Sequence, residues 1–300
     1  MLTVGIPSFE RADSAAQTIR NLFFLNNYPE IKLVLINNGS IRTSYIEAQN
    51  ELKSLKQSKY LEFQYNLGFA ESFLRVIEHC ETEYLLFLSD EDYLIEEGFE
   101  NLLNLLKETK PSFVSLRRSS MKKHKKLKTV KLSAIKGVSS YVSGLIFKVD
   151  ISKSHLTLLR QLCATEEFAR LYPQVILAWL HASHGSAVTL NSPRYVLRDN
   201  LETTVSSSNG SPYWYPTERV HQYVSSLACL QKMAREMNPN VKRRLARIER
   251  GVKSKFFGLL FDAVKTISPE ILPDLARSTF RTSLIFEIRF FVRRILGSSD

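Results

Sequence analysis

Short apolar runs alternate with amphipathic segments along the first hundred residues. Residues 2–7 and 31–36 are apolar runs that predict buried strands, and turn-forming residues 37–40 end the second run. Between them, apolar residues recur at helical spacing from Asp13, the expected N-cap, to about Asn26. This is a strand-helix-strand unit, so we expect parallel strands covered by helices.

The same pattern continues beyond this unit. Further strands are predicted at residues 61–64, 84–88, 112–116 and 141–149. Further helices are predicted at residues 44–56, 70–79, 97–108, 156–170 and 173–181. Residues 191–216 are rich in Ser, Asn, Thr and Pro and predict a loop before a helical tail. The pattern predicts an α/β fold, with a mostly parallel sheet flanked by helices and a C-terminal helical extension.

Composition adds constraints on location and partners. The chain has 300 residues, of which 44% are hydrophobic, so it can bury a substantial core. Its three scattered cysteines predict neither a disulfide framework nor a zinc site, and we find no secretory signal or spanning segment. We therefore expect a cytoplasmic protein. The net charge of +11 predicts an acidic partner: nucleic acid, a phosphate-bearing substrate or an anionic membrane.

Polar and turn-forming residues follow the predicted strands, where an open α/β sheet binds its ligands. The acidic sequence Asp90-Glu91-Asp92 comes directly after the apolar run 84–88. Crowded carboxylates repel one another unless a cation joins them, and Mg²⁺ is commonly held by one or two carboxylates plus substrate phosphates. An acidic turn that caps the following helix is the alternative.

Read in order, four motifs resemble glycosyltransferase family 2. Members of that family carry Pro-Ser/Thr-aromatic after the first strand, an acidic turn after the second, Asn-x-Gly before a helix, and Asp-x-Asp after the fourth strand. The corresponding segments here are Pro7-Ser8-Phe9-Glu10-Arg11, Asn37-Asn38-Gly39-Ser40, Asn66-Leu67-Gly68 and Asp90-Glu91-Asp92. The order and spacing match over roughly the first 100 residues.

The resemblance implies a GT-A (Rossmann-like) fold and sugar transfer from a nucleotide-diphosphate-sugar donor. It also implies Mn²⁺ or Mg²⁺ as cofactor, inversion at the anomeric carbon, and a role in bacterial surface polysaccharide synthesis, similar to abequosyltransferases. The donor-binding residues it implies are Pro7, Ser8, Phe9, Arg11, Asn38, Asn66, Gly68 and Asp90. By the resemblance, Asp92 and Asp90 are the metal ligands. His184, three residues after His181 at the end of an apolar run, is a further candidate ligand for the metal or the diphosphate, with a helix cap as the alternative. Glu10 and Asn37-Asn38 depart from the family pattern, so the nucleotide base stays open.

The acceptor half needs a base that takes a proton from the acceptor hydroxyl. Inverting family members carry Thr-Glu-Asp at the start of a helix, and Thr165-Glu166-Glu167 matches that position. By this resemblance Glu167 is the base and Glu166 its neighbour, and paired carboxylates can raise one pKa toward the working range. A solvated helix face is the alternative.

These assignments predict a catalytic domain at residues 1–200 and a helical, basic, amphipathic region at 201–300. Within the first, residues 1–116 are the nucleotide-sugar-binding half and 117–200 the acceptor half. The tail segments 241–267 and 284–296 mix basic and aromatic residues, which favours peripheral contact with the anionic inner face of a membrane and a saccharide or lipid-linked acceptor. The alternative is that their apolar faces pack on the catalytic domain.

Two other functions fit parts of the sequence. A nucleotidyltransferase is expected to carry a Gly-rich basic loop after its first strand, which residues 7–10 do not provide. A basic nucleic-acid-binding protein is the non-enzymatic alternative. The basic cluster 122–126 has no interleaved aromatic residue, which disfavours binding to single-stranded nucleic acid, and we expect no nucleic-acid partner.

Overall fold

The computed structural model describes residues 1–117, 126–191, 196–198 and 216–266. Its strands are β1 (Leu2–Ser8), β2 (Ile31–Asn37), β3 (Ser58–Glu62), β4 (Tyr84–Phe87), β5 (Asp92–Leu94), β6 (Phe113–Arg117), β7 (Lys126–Thr129), β8 (Leu145–Lys148), β9 (Ala187–Asn191) and β10 (Val196–Arg198). Its helices are α1 (Ala12–Arg20), α2 (Ile46–Lys53), α3 (Gly68–His79), α4 (Phe99–Thr109), α5 (Ile135–Ser139), α6 (Val149–Ser154), α7 (Leu156–Thr165), α8 (Glu167–Leu171), α9 (Pro173–His184), α10 (Pro216–Glu236) and α11 (Pro239–Thr266).

The main sheet has eight strands in the order β3-β2-β1-β4-β8-β6-β9-β7. Strands β1 to β4 are mutually parallel, whereas β8 runs antiparallel to both of its neighbours, β4 and β6. The α/β fold class predicted from the sequence is confirmed, and the sheet is mixed. A separate pair, β5 and β10, is antiparallel.

The sheet has a hydrophobic core on each face because alternate residues of a strand point to opposite sides. In β2, Leu33 and Leu35 belong to the core beneath α1, α2 and α4. Val34 and Ile36 belong to the other core, beneath α3, α7, α8 and α9. The near-continuous apolar runs in the sequence are therefore strands covered on both sides.

Several element boundaries differ from the sequence-based predictions. Helix α1 begins at Ala12 without a side-chain cap, so Asp13 lies in its first turn. The predicted helix 156–170 is broken at Glu166, whose φ of −122° and ψ of 121° are extended. The apolar run 141–149 contributes only β8, because Gly144 adopts a φ of 80° just before it.

Helix α9 is buried on every side except at its last residue, His184, since it lies between the sheet and the C-terminal helices. His181 is fully buried in this helix, and its Nδ1 lies 2.6 Å from the Ser112 carbonyl oxygen, to which it donates. Its Nε2 lies 2.9 Å from Ser152 Oγ. Burial lowers the pKa of His181 to about 3, so it is a neutral core histidine with both nitrogens occupied.

The C-terminal helices α10 and α11 pack on the helices α8 and α9. Leu227, Leu230 and Met233 of α10 and Leu245 of α11 are in the core with α8 and α9. Up to residue 254, the described apolar side chains of these helices therefore pack on the rest of the protein. This is the arrangement given above as the alternative to membrane contact. The side chains of 255–266, the tail segment 284–296, and most of the predicted loop 191–216 lie outside the described part.

Arg244 of α11 reinforces this packing at the end of α9. Its guanidinium donates to the carbonyl oxygens of Ala182 and Gly185, each at 2.7 Å. Of the basic stretch 117–136, residues 126–129 form the edge strand β7, while 118–125 lie outside the described residues. Within the described ranges, no helix combines the length and the apolar character needed to cross a bilayer.

Candidate functional site

An open pocket of about 740 Å³, counting the space at its mouth, lies at the carboxyl edge of β1 to β4. All eight residues predicted to bind the donor line it. The lining residues are Pro7, Ser8, Phe9, Arg11, Asn38, Asn66, Gly68, Phe69, Ser72, Ser89, Asp90 and Val142. The structure therefore gathers residues from four separate strand ends into one pocket, and their role in donor binding stays a prediction.

A buried hydrogen-bond chain connects the first strand to the acidic strand end. Ser8 Oγ lies 2.6 Å from Asp90 Oδ2, to which it donates. Ser8 Oγ also lies 2.6 Å from the hydroxyl of Tyr45. Tyr45 is a buried residue just before α2, and it was not predicted from the sequence. Since β1 pairs with both β2 and β4, its end stands between theirs, which explains this convergence.

The carboxylate of Asp90 accepts hydrogen bonds from both Ser8 and Arg11. Burial raises its pKa to about 6, against the hydrogen bond from Ser8 and the positive charge of Arg11, which lower it. Arg11 Nη1 lies 3.4 Å from Asp90 Oδ1 and 2.5 Å from Glu91 Oε1. Thr18 Oγ1 also donates to the backbone carbonyl oxygen of Asp90, at 2.9 Å. The carboxylate is thus held rigidly in the pocket wall, beside one cationic group.

Asp92 occupies a different place from Asp90. It is fully buried, does not line the pocket, and accepts a hydrogen bond of 2.7 Å from the Tyr141 hydroxyl. Among the described residues no cluster of three or more His, Cys, Asp or Glu side chains could hold a metal ion by itself. Of this acidic strand end, Asp90 lines the pocket, where one carboxylate could join a divalent cation that completes its shell with substrate phosphates.

Asn38 has its amide committed within the protein. Its Nδ2 donates to Asn66 Oδ1 at 2.9 Å and to the Gly68 carbonyl oxygen at 3.2 Å, and its Oδ1 accepts from the Leu67 N–H at 3.1 Å. This network folds the loop that precedes α3. Asn38 therefore shapes the pocket by holding the loop of residues 66–68, and its amide has little capacity left for a nucleotide base.

Glu10, the residue that departs from the family motif, has a comparable role on the other side. It adopts a φ of 55°, and its carboxylate accepts the backbone N–H groups of Ile41 and Arg42 at 3.0 to 3.2 Å. From the sequence, Glu10 is only a departure from the motif. In the structure its carboxylate holds the start of the loop that follows Ser40.

Gly39 is required by the close approach of two of these loops. It adopts a φ of 71°, and a Cβ added there would lie 2.2 Å from the Tyr65 carbonyl carbon and 2.6 Å from Asn66 N. We expect Gly39→Ala to lower the free energy of unfolding by at least about 2 kcal/mol and to weaken donor binding, because the loop 65–68 must move. Thermal unfolding and donor titration measure the two effects.

Gly68→Ala is the matched control for that substitution. Gly68 also has a left-handed φ, 81°, but no atom lies within 4 Å of its added Cβ. Its expected cost is the backbone strain alone, about 1 kcal/mol. Equal losses of stability in the two variants would contradict the steric explanation for Gly39.

The sequence analysis missed several residues of the pocket wall. Phe69 and Ser72 follow Gly68 by one and four residues, so both lie on the side of α3 that faces the pocket. The Asn-x-Gly motif could have indicated them, because residues one and four positions past a helix start share a face. Val142 comes from residues 117–200, the predicted acceptor half, and nothing in its sequence neighbourhood distinguishes it.

Glu166 and Glu167 lie away from the pocket lining, at the junction of α7 and α8. Glu166 is nearly buried, and its Oε1 forms an ion pair of 2.6 Å with Lys232 Nζ of α10. Ser225, also of α10, donates to Glu166 Oε2 at 3.2 Å and accepts the Phe168 N–H at 3.0 Å. Glu167 is exposed, so it is the one of the two carboxylates that a substrate can reach.

His184 is not brought together with Asp90 and Asp92. At the start of β4, Tyr84 pairs with Lys148, whose N–H bonds to Ser112, and Ser112 in turn bonds to His181 near the end of α9. His184 therefore lies at the amino edge of β4, whereas Asp90 follows its carboxyl edge. His184 is therefore removed from the predicted metal ligands Asp92, Asp90 and His184, because the length of a strand separates it from the two acids.

Comparisons with known proteins agree with this architecture. Residues 3–148 match the family described as Glycosyl transferase family 2. The 1–349 fragment of S. aureus TarS is similar in structure, with 13% identity and a TM-score of 0.62 over 91% of this chain and 77% of that chain. Its complex with UDP-GlcNAc gives 14% identity and a TM-score of 0.63, over 91% and 78%.

A third similar structure is the mannosyltransferase PcManGT from Pyrobaculum calidifontis in complex with GDP-Man and Mn²⁺. It shares 14% identity with this chain and gives a TM-score of 0.50, over 92% of this chain and 78% of that chain. At these identities the structural similarities show the fold. None of the curated proteins matches the sequence.

Proposed function

We propose the following reaction for this chain, which is a glycosyltransferase with the GT-A fold and whose residues 3–148 match glycosyl transferase family 2. The enzyme transfers a sugar from a nucleoside-diphosphate sugar to a hydroxyl group of a saccharide or lipid-linked acceptor, and inverts the anomeric carbon. The observation that carries this proposal is the single pocket lined by all eight predicted donor-binding residues. The nucleotidyltransferase and the nucleic-acid-binding protein considered from the sequence are set aside by the family match.

In this proposal the pocket holds the nucleotide. Phe9 and Phe69, which are 39% and 40% exposed, offer apolar faces at the pocket wall. Arg11 offers a cation beside Asp90, where a diphosphate can bind. The similar structures of TarS with UDP-GlcNAc and PcManGT with GDP-Man both contain nucleoside-diphosphate sugars, which supports this donor class.

Asp90 and Asp92 would hold Mn²⁺ or Mg²⁺ together with the donor's phosphates. When bound, such a cation offsets the negative charge of the departing diphosphate. PcManGT was solved with Mn²⁺, which supports a divalent cation in this fold. The contribution of this chain is the placement: Ser8 and Arg11 orient Asp90, and Tyr141 orients Asp92.

The acceptor hydroxyl is activated by Glu167 in this scheme. The oxygen of the acceptor hydroxyl forms the new bond to the anomeric carbon, while the bond from that carbon to the diphosphate oxygen breaks. Glu167 takes the hydroxyl proton. Glu166 supports this role indirectly, because its ion pair with Lys232 and the Ser225 bonds hold the start of α8. The helices α8 and α10 thus form the proposed acceptor side.

The biological setting is a proposal as well: bacterial surface polysaccharide synthesis, such as O-antigen or capsule, at the inner face of the cell membrane. We retain the division into a catalytic part, 1–200, and a helical part, 201–300. Membrane contact is proposed for the tail beyond residue 254, since most of the described apolar side chains between residues 222 and 254 are buried. Cosedimentation with anionic and neutral vesicles at low and high salt tests this contact.

The donor is tested by thermal unfolding with a panel of nucleoside-diphosphate sugars, each with and without Mn²⁺. A ligand that binds only the folded state raises its stability, by about 2.7 kcal/mol at a hundred times its Kd. We expect one donor class to raise the melting temperature, and more with Mn²⁺ than without. A protein that no nucleotide sugar stabilises, and that releases no nucleoside diphosphate from any of them, would sink the proposed reaction.

A further inference from the structure

Two histidines from separate helices meet at the amino edge of the sheet, opposite the donor pocket. His155 lies between α6 and α7, and His184 is the last residue of α9. Their Nε2 atoms are 3.2 Å apart, and their ring centroids are 4.7 Å apart. Two rings in line through these nitrogens would have more widely separated centroids, so the rings are tilted relative to the line that joins the two Nε2 atoms.

The tautomer of His184 leaves its Nε2 free of a proton. Its Nδ1 lies 2.9 Å from the Leu180 carbonyl oxygen, which can only accept, so Nδ1 carries the hydrogen. This bond also fixes the orientation of the ring, as carbonyl groups commonly do for metal-binding histidines. Without a cation, the His155 Nε2–H donates to His184 Nε2. With one, His155 would place its hydrogen on Nδ1, which leaves a lone pair on each Nε2 for the cation.

The distance between the nitrogens suits a first-row transition cation. An ion 2.0–2.1 Å from each Nε2, the usual zinc–imidazole distance, would form an N–metal–N angle of about 100°, near the tetrahedral value. We infer that His155 and His184 form a two-histidine site for a borderline cation such as Zn²⁺, with water completing the coordination. The site is distinct from the donor pocket.

The surroundings favour such a cation over Mg²⁺ or Ca²⁺. Imidazole nitrogens suit zinc, copper and nickel, whereas hard cations need oxygen ligands. Among the described residues, the hydrogen-bond partners of the two imidazole rings are Ser183, the Leu180 carbonyl oxygen and each other, with no carboxylate.

A cation here would join the start of α7 to the end of α9. The other ends of these two helices are connected through α8, which begins with Glu167. The proposed role of the site is structural. A cation there would hold α7 and α9 together at the ends opposite α8, the helix that carries the proposed base. The inference does not depend on that base, because it rests on the histidine geometry alone.

The test is calorimetric titration of the full chain with Zn²⁺ alone, and with Mg²⁺ as a comparison. We expect His155→Ala and His184→Ala each to weaken Zn²⁺ binding at least tenfold, and the double variant to lose no more than either single one, because the two ligands act together. His79→Ala is the matched control, since His79 also ends a helix at this edge, and should bind as the parent does. Zinc K-edge absorption should show two imidazole nitrogens at about 2.0 Å.

Two results would overturn the inference. One is unchanged Zn²⁺ binding in His184→Ala. The other is Zn²⁺ binding that Asp90→Asn abolishes while both histidine variants retain it, which would place the cation in the donor pocket. The double variant should keep its melting temperature in a chelator, so that a loss of binding is separated from a loss of folding.

Discussion

Replacing Asp90 by asparagine is expected to lower kcat/KM for sugar transfer at least about 100-fold, equivalent to about 2.7 kcal/mol of transition-state stabilisation. Asp90 is the carboxylate of the acidic strand end that lines the pocket, and Ser8 and Arg11 hold it in one orientation. Asparagine keeps the shape and can still accept from Ser8, but it removes the negative charge that a divalent cation would need. Initial rates with the donor found by the thermal panel, at several Mn²⁺ concentrations, measure the loss.

The fold should survive this substitution. Burial already disfavours the charged form of Asp90, since its pKa is raised to about 6, so a neutral side chain of equal size is tolerated. Glu91→Gln is the matched control, because Glu91 is the adjacent acid and also pairs with Arg11 but does not line the pocket. We expect it to change kcat/KM by less than about fivefold. Turnover in Asp90→Asn equal to that of the parent would contradict the assignment.

The strands and the pocket were largely predictable because both depend on local sequence. Apolar runs that end in turn-forming residues locate β1, β2 and β4 within one residue of their observed bounds. Parallel neighbours then bring the ends of these strands together, so motifs far apart in the chain meet at Pro7, Asn38 and Asp90. The order of the motifs along the chain was therefore enough to predict that they lie in one pocket.

The remaining features depend on contacts between distant parts of the chain. The break in the helix at Glu166 has no Gly or Pro to indicate it, and its partner Ser225 is 59 residues away. The antiparallel direction of β8 belongs to its pairing with β4 and β6, and His155 meets His184 where α6 and α7 contact α9. Asn38 shows a related limit: the sequence predicts an amide at the pocket, but only the structure shows that its hydrogen bonds are already used.

Glu167→Gln is expected to retain donor binding and to lower kcat for transfer by about 10²- to 10⁴-fold, the usual contribution of a general base. Glu167 is exposed at the first turn of α8, whereas Glu166 is bound to Lys232 and Ser225 and is held away from a substrate. Glutamine has the same size but cannot take the hydroxyl proton. The donor Kd from titration and the transfer rate at saturating acceptor separate the two effects.

Two matched variants distinguish catalysis from packing. Glu167→Asp restores the residue found in the related motif and should recover part of the transfer rate, because a carboxylate is again present. Glu166→Gln removes the ion pair with Lys232 and should lower the melting temperature more than Glu167→Gln does, since Glu166 is nearly buried and Glu167 is exposed. If Glu167→Gln transfers sugar as fast as the parent while Glu166→Gln is inactive but folded, the base is Glu166, and the contacts of α10 with Glu166 act on the reaction directly.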